Sequence, residues 1–426
     1  MGFLDRFLSR AEAVPLPQLG ALLDARSLPG TLPGLEALIP AFEAHRGPVG
    51  REAWADAVAD LHRAGLPLPE PWIEAQDQLR PELVPAWRAE REGLWSRAFM
   101  DGLSVRIRLG GQVMPAAWLV LWDQSAEEVL ERALEHLRQL STAGFERLPS
   151  GIYRGVWRDG MDAARLLLPE VWHGVFRGQH PFLAIPNAHT LLAAPQVLLP
   201  KLVDEVVRCI QIGESHLQLA VLERIDDQLM TARLQDPHPM SAPQKELKHM
   251  DLIAALRTQE EDLDPALGRP APVAMLKTQQ GKPLTVATWI AGMPVLLPET
   301  DLIAFVNEQG EPLGIFARQT LPRIQEVRGE AVTIWGPRRV RYEGFPTAEQ
   351  LARLERFATA EQMKALQNPP AKRPPAAAPS TVRPTGPPPA PITPPTSAAP
   401  SQFSTQPTPT LPRHLKGAGL GVQDKD

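Results

Sequence analysis

Cysteine is almost missing from this chain: its 426 residues include one, Cys209. That excludes an intrachain disulfide and a thiolate zinc cluster. It fits a reducing compartment, so a cytoplasmic location is expected. Cys209 falls in the apolar-periodic run Val203, Val206, Val207 and Ile210, and it reads as a buried small hydrophobe rather than a reactive thiol. Long apolar runs are missing too, and none approaches the roughly 18 residues that cross a bilayer. The stripe Phe3, Leu4, Phe7 and Leu8 is interrupted by Asp5, Arg6 and Arg10 with no apolar core region behind it, so it is not a secretory signal. Arg6 stands where a myristoylation signal has Ser or Thr. The stripe is expected to dock on the protein body rather than on a membrane, because its polar face has few cations.

Catalytic and cofactor signatures are likewise missing. Gly281-Lys282 is followed by Pro283, which removes the amide and hydroxyl that a phosphate loop needs. There is no Gly-x-Ser-x-Gly elbow and no His-Glu-x-x-His. Gly417-Ala-Gly-Leu-Gly421 follows no strand, so it is not a dinucleotide turn. No cofactor and no metal are expected, and the balance leans away from an enzyme. Net charge is −5. The body up to residue 367 carries −9 and the remainder +4. An acidic body offers no counterion release on a phosphate backbone, and the diluted positive charge of the remainder makes no strong arm, so no nucleic-acid partner is expected.

What is present is a sharp change of composition near Asn368. The stretch from Pro369 holds 16 of the 47 prolines, no tryptophan or tyrosine, and Phe403 as its one phenylalanine. Such a segment cannot bury enough apolar surface to offset its ordering entropy, so residues 368–426 are expected to be a disordered Pro-rich tail. Pro384–Pro391 and Pro407–Pro412 suit polyproline II, which groove-binding domains recognise, so a protein partner for the tail is expected. Apolar character returns between Leu411 and Val422, as a short terminal docking motif would require.

The body divides into three parts, giving an α+β fold class. Residues 1–100 read as a helical region, with apolar positions Trp54, Ala57, Val58 and Leu61 at helical spacing. Residues 101–240 read as an α+β domain. Ser104–Leu109 alternates as a strand, and Ala117–Trp122 and Ile152–Trp157 read as two more. Ser125-Ala-Glu-Glu128 is a capping box opening a helix with Val129, Ala133 and Leu137 on one face. A short helix spans 162–168. Strands Phe182–Ile185 and Thr190–Ala193 are joined by Pro186-Asn-Ala-His189, with Asn187 suited to a positive φ. A helix runs from Pro200 to Ile212, stopped by Gly213, and a hairpin turns at Asp226-Asp227. Residues 241–367 read as a helix over 243–263, with Leu247, Met250, Ile253, Ala254 and Leu256 apolar, then a strand-rich module and a closing helix pair. The strands are Val273–Lys277, Leu284–Ile290, Leu302–Val306, Leu313–Ala317, Ala331–Trp335 and Val340–Tyr342. A second capping box, Thr347-Ala-Glu-Gln350, opens the helix pair. Val-Leu-Leu-Pro occurs at 197–200 and at 295–298 with unmatched flanks, so it is no repeat.

Three short motifs, Ala133-Leu-Glu-His-Leu137, Asp162-Ala-Ala-Arg-Leu166 with Leu168-Pro169, and Ala184-Ile-Pro-Asn-Ala-His-Thr-Leu191, carry a resemblance. On them, the stretch Leu134–Ala194 resembles the YtpQ-type family of uncharacterised bacterial proteins. The resemblance implies a bacterial, cytoplasmic α+β protein and no particular activity.

The best constellation for chemistry is Asp162, Arg165, Asn187 and His189. A histidine moves protons near neutral pH, a carboxylate can fix its tautomer, and a connection presents both. The competing reading is structural: Asp162 caps the short helix, Arg165 pairs with an acid, and Asn187 serves the turn. His173 and His180, seven apart, have no regular metal spacing. Glu260, Glu261, Asp262 and Asp264 read as a solvated helix end, and Arg338, Arg339 and Arg341 as an exposed face balanced by acids. Three functions follow. An adaptor working through the tail leads. A small-molecule sensor, with its pocket between the central domain and the strand-rich module, and a hydrolase using His189 and Asp162 are the alternatives.

Overall fold

The computed structural model describes residues 17–367, other than 30–31, 45–47, 143, 174, 177–179, 212–215, 226–227 and 236, together with Gly419–Leu420. The N-terminal stripe, Gly213, the Asp226-Asp227 turn and the tail apart from Gly419–Leu420 therefore lie outside the described residues. The chain is mixed α+β, as expected. It forms two units. One comprises residues 1–270 with Leu296–Glu299 and Gly329–Tyr342; the other comprises Ala271–Val295, Thr300–Arg328 and residues 343–426.

The first unit begins with helices α1 (Pro17–Asp24), α2 (Leu35–Ala44), α3 (Pro48–Arg63) and α4 (Trp72–Ala75). They bury Leu19, Leu23, Leu38, Phe42, Trp54, Val58 and Leu61 in one cluster. The helical reading of residues 1–100 then fails. Leu79–Pro85 is strand β1; after helix α5 (Ala86–Glu92), Arg97–Met100 is β2, Leu103–Leu109 is β3 and Gln112–Val113 is β4. The sheet order is β1-β3-β2, with β4 on β3. Pro81 and Pro85 favour the change: each would remove a hydrogen bond from a helix interior and crowd the preceding turn, whereas at an edge strand the missing N–H faces away from the ladder. The register pairs Arg80 with Arg108, Pro81 with Ile107 and Glu82 with Arg106.

Ala117–Trp122 is helix α6, not a strand. The run is apolar at every position, so its period cannot decide between the two. The decision falls to the indoles. Trp118 Nε1 donates to Pro67 O at 3.3 Å and Trp122 Nε1 to Glu70 O at 2.8 Å, and a helical turn puts Trp118 and Trp122 on one face. Helix α7 (Ala126–Gln139) starts at the expected capping box: Ser125 N–H donates to Glu128 Oε2 at 2.9 Å, and Glu128 N–H to Ser125 Oγ at 3.2 Å.

The central sheet contains β5 (Phe145–Arg147), β6 (Tyr153–Gly155), β7 (Phe182–Ile185), β8 (Leu192–Ala194), β9 (Gln218–Ile225) and β10 (Gln228–Thr231), in the order β10-β9-β7-β8-β6-β5. β7 and β8 are buried throughout because both faces are covered. On one face Leu183, Ile185, Ala193 and Leu222 pack with Ala163, Leu166 and Trp172. These last belong to a 3-10 helix, Ala163–Leu167, and to α8, Pro169–His173. On the other face Ala184, Leu192, Leu219 and Val221 meet Leu199, Leu202, Val203 and Val206 of α9 (Leu199–Gln211). Cys209 is half-buried rather than buried. Helix α10 (Ser241–Glu260) completes the β9 edge with side chains: the Gln244 amide both accepts from Val221 N–H (2.9 Å) and donates to Val221 O (2.8 Å), and Asp251 Oδ2 accepts from Leu219 N–H at 2.9 Å. Its buried face therefore holds Gln244 and Gln259 beside Leu247 and Leu256, while Ala254 of the expected apolar set is exposed.

The remaining strands are β11 (Arg269–Pro270), β12 (Val273–Thr278), β13 (Pro283–Ile290), β14 (Val295–Pro298), β15 (Leu302–Val306), β16 (Pro312–Ala317), β17 (Gly329–Ala331), β18 (Arg339–Tyr342), β19 (Arg356–Ala358) and β20 (Gly419–Leu420). They make two sheets, β11-β14-β18-β17 and β19-β16-β15-β13-β12-β20. The strand expected at Ala331–Trp335 lies earlier, because Trp335 turns away to donate its indole N–H to Asp262 Oδ2 at 2.9 Å. In the second unit, Val286, Ala304, Val306, Ile315 and Ala358 cluster, while Trp289, Phe305 and Phe316 pack edge to face or tilted with neighbouring rings 5.3–6.0 Å apart, Phe345 among them. The closing helices are α11 (Ala348–Leu351), with the expected capping box at Thr347, and α12 (Ala360–Gln367). Between them, Phe357 belongs to β19.

Candidate functional site

A cleft of about 350 Å³ opens within the first unit. Arg80, Pro81, Glu82 and Leu83 of β1 and Arg108 of β3 form one side; Asp159, Gly160, Met161, Ala188 and His189 are among the residues of the other. Of the four residues singled out in the sequence, His189 lines the cleft, while Asp162, Arg165 and Asn187 are buried on the segments whose members Ala163, Ala164 and Ala188 line it. Ala163 N–H donates to Ala188 O at 3.1 Å, which ties the 3-10 helix to the 186–189 connection.

Their roles differ. Arg165 is 0% exposed, so it cannot meet a ligand in solvent. Its guanidinium holds Asp159 with two hydrogen bonds, of 2.9 and 2.7 Å, donates to Ser141 Oγ and Leu140 O, and lies 4.4 Å from the Trp157 ring centroid. Burial raises the Asp159 pKa, but these bonds outweigh it and hold the carboxyl below its ordinary value. Asp159 is one of the residues that sequence reasoning missed. Its signal was the Asp159-Gly160 turn just after a strand.

Asp162 is 1% exposed and makes no cap bond, and its Oδ2 has no hydrogen-bond partner among the described residues. Burial pushes its pKa up, and the charge of Asp159 adds to that. Among the described residues no hydrogen bond joins it to His189. Asn187 serves the turn: its side-chain oxygen accepts from His189 N–H at 3.1 Å, and its φ is not positive. His189 is exposed and borders the cleft. Its ring lies against Gly160, where a Cβ would stand 3.6–3.7 Å from Cε1 and Nδ1; the φ of +79° at Gly160 would in any case strain a larger residue.

The strand side is a charged ladder. Arg106 pairs with Glu82 at 2.7 Å and also with Glu92. Arg108 pairs with the same Glu82 at 3.3 Å and donates to Gly111 O. The alternation of Arg106 and Arg108 with Val105 and Ile107 was visible in the sequence. Their opposition to Arg80 and Glu82 was not, because β1 had been read as helix.

Other charged groups singled out in the sequence have structural partners. Among the described residues, no three His, Cys, Asp or Glu side chains are grouped to hold a metal ion. Arg339 is not on an exposed face. It is 0% exposed and donates to Gln259 Oε1, Leu256 O and Leu296 O, with Glu260 at 3.5 Å. Asp262 pairs with Arg91 at 2.7 Å. No helix among the described residues is long and apolar enough to cross a membrane. Comparison of the chain with protein-family models, with curated proteins and with solved structures returned no match.

Proposed function

We propose that the first unit binds a small polar molecule in the cleft beside His189. The observation that carries this reading is a concave site with convergent polar groups on a locked frame: Arg165, out of reach of solvent, fixes the Asp159–Gly160 turn against which His189 packs. A hydrolase is less well supported. The described lining residues include no Ser, Thr or Cys to act as nucleophile, and no hydrogen bond among the described residues lets Asp162 orient His189. The test is a fragment screen on the full-length protein by NMR. Bound fragments are expected to shift the His189 ring resonances and to lose affinity in His189→Ala; hits that leave His189 unmoved throughout would overturn the reading.

A second reading, an adaptor that acts through its C-terminal arm, is supported by the Pro-rich composition of that arm, of which Gly419–Leu420 pair in parallel with Lys277–Thr278 at the edge of the second unit's own sheet. Sheet edges take extended segments in this way. Affinity capture with the full chain and with a chain lacking 405–426 checks it, and identical partners would remove it. The likeness to YtpQ-type proteins and the single cysteine support a bacterial, cytoplasmic setting for either role.

A further inference from the structure

We infer that the cleft seats an oxyanion, a carboxylate or phosphate group, on the Arg80–Arg108 pair. The inference rests on reading the cleft as a ligand site and names the chemistry of its ligand.

The argument begins with register. Arg80 and Arg108 are directly opposed across β1 and β3, and both border the cleft. Like charges in opposed cross-strand positions repel unless something between them is negative. The protein supplies half of that. Glu82 lies next along the same face, and its carboxylate is taken by Arg106 at 2.7 Å and by Arg108 at 3.3 and 3.4 Å. Glu92 is taken by Arg106. The face therefore carries three arginines against two glutamates, and one positive charge is left over.

That charge is at Arg80, which has no ion pair among the described residues. Asp159, the other acid of the lining, does not cancel it, because Arg165 already holds both of its oxygens. Arg108 spends its Nη groups on Glu82 and on Gly111 O, which leaves its Nε–H without a partner among the described residues. A guanidinium with five donors next to one with a spare donor matches the two oxygens of a carboxylate or two of a phosphate. His189 on the far side offers a ring nitrogen for the rest of the ligand.

The experiment is calorimetric titration of the full-length protein with benzoate, its uncharged counterpart benzamide, and inorganic phosphate, all at one ionic strength. Wild type, Arg80→Gln and Arg80→Lys are compared. Arg80 is exposed, so these substitutions leave the fold intact, as circular dichroism checks. The expected result is binding of benzoate, of phosphate or of both, with benzamide at least tenfold weaker. Arg80→Gln is expected to weaken the anion by about ten- to a hundredfold, as loss of one charge-assisted contact does, and Arg80→Lys by less. Binding of benzoate without phosphate marks a carboxylate ligand, and the converse a phosphate. Equal binding of benzoate and benzamide, unchanged in Arg80→Gln, would overturn the anion seat and leave the cleft as a ligand site. Anion binding that ignores Arg80→Gln also overturns it. Failure of all three probes at millimolar concentration would overturn both.

Discussion

Two arginines, Arg165 and Arg339, are completely withdrawn from solvent, and the regions around them are built differently. Arg339 sits in a finished knot. Its donors reach Gln259, two main-chain carbonyls and Glu260, while the Gln259 amide donates to Trp335 O and Pro337 O. Arg165 faces Asp159, which is 29% exposed at the cleft, and Asp162 beside it keeps an oxygen with no hydrogen-bond partner among the described residues. A buried polar network with every member satisfied fixes a structure; one left incomplete next to a cleft holds side chains ready for something else. The contrast separates scaffold from site without any motif.

The largest effect that tests this contrast is expected at the knot. Arg339→Ala strands Gln259 Oε1 and two buried carbonyls, and chemical denaturation should show a loss of about 3–5 kcal/mol. Arg165→Ala should cost less, about 2–3 kcal/mol, because Asp159 can reach water once released. It should also weaken any cleft ligand, which Arg339→Ala read at native temperature should not. Equal losses with no effect on binding would erase the distinction.

A smaller effect is pH-dependent. Asp251 holds its carboxyl on the β9 edge, and burial, opposed by the amides of Leu219 and Ala220, pushes its pKa up to about 7 from 3.8. A raised carboxyl pKa means that the folded chain keeps a proton the unfolded chain has lost. Stability from this group therefore falls as pH rises from about 4 to about 7, by at most about 1.4 kcal/mol per pH unit. Asp251→Asn should flatten that slope; an unchanged slope would show that another group sets it. Asp162, also raised, contributes with the same sign. Smallest is Ser125→Ala, which removes half of a capping box and should cost about 1 kcal/mol.

Much of the fold could be read from residues with local rules. Both capping boxes formed where Ser125 and Thr347 placed them. The candidate site was half legible. Asn187 and His189 were found on their connection, and Asp162 and Arg165 beside it. Asp159, Arg80 and Arg108 were not, since each matters only through a partner far away in the chain.

Local chemistry determined the caps, the single thiol and the composition boundary near Asn368, because each depends on what a residue and its neighbours can do alone. Tertiary structure decided the rest, and the two copies of Val-Leu-Leu-Pro show why. At 197–200 the tetrapeptide ends a 3-10 turn and enters α9; at 295–298 it is strand β14. Four apolar residues carry no period of their own, so the surface available to bury them chose the backbone. The same holds for Arg80: its neighbours in sequence say nothing of Arg108, and only the pairing of β1 with β3 brings the two charges into one cleft.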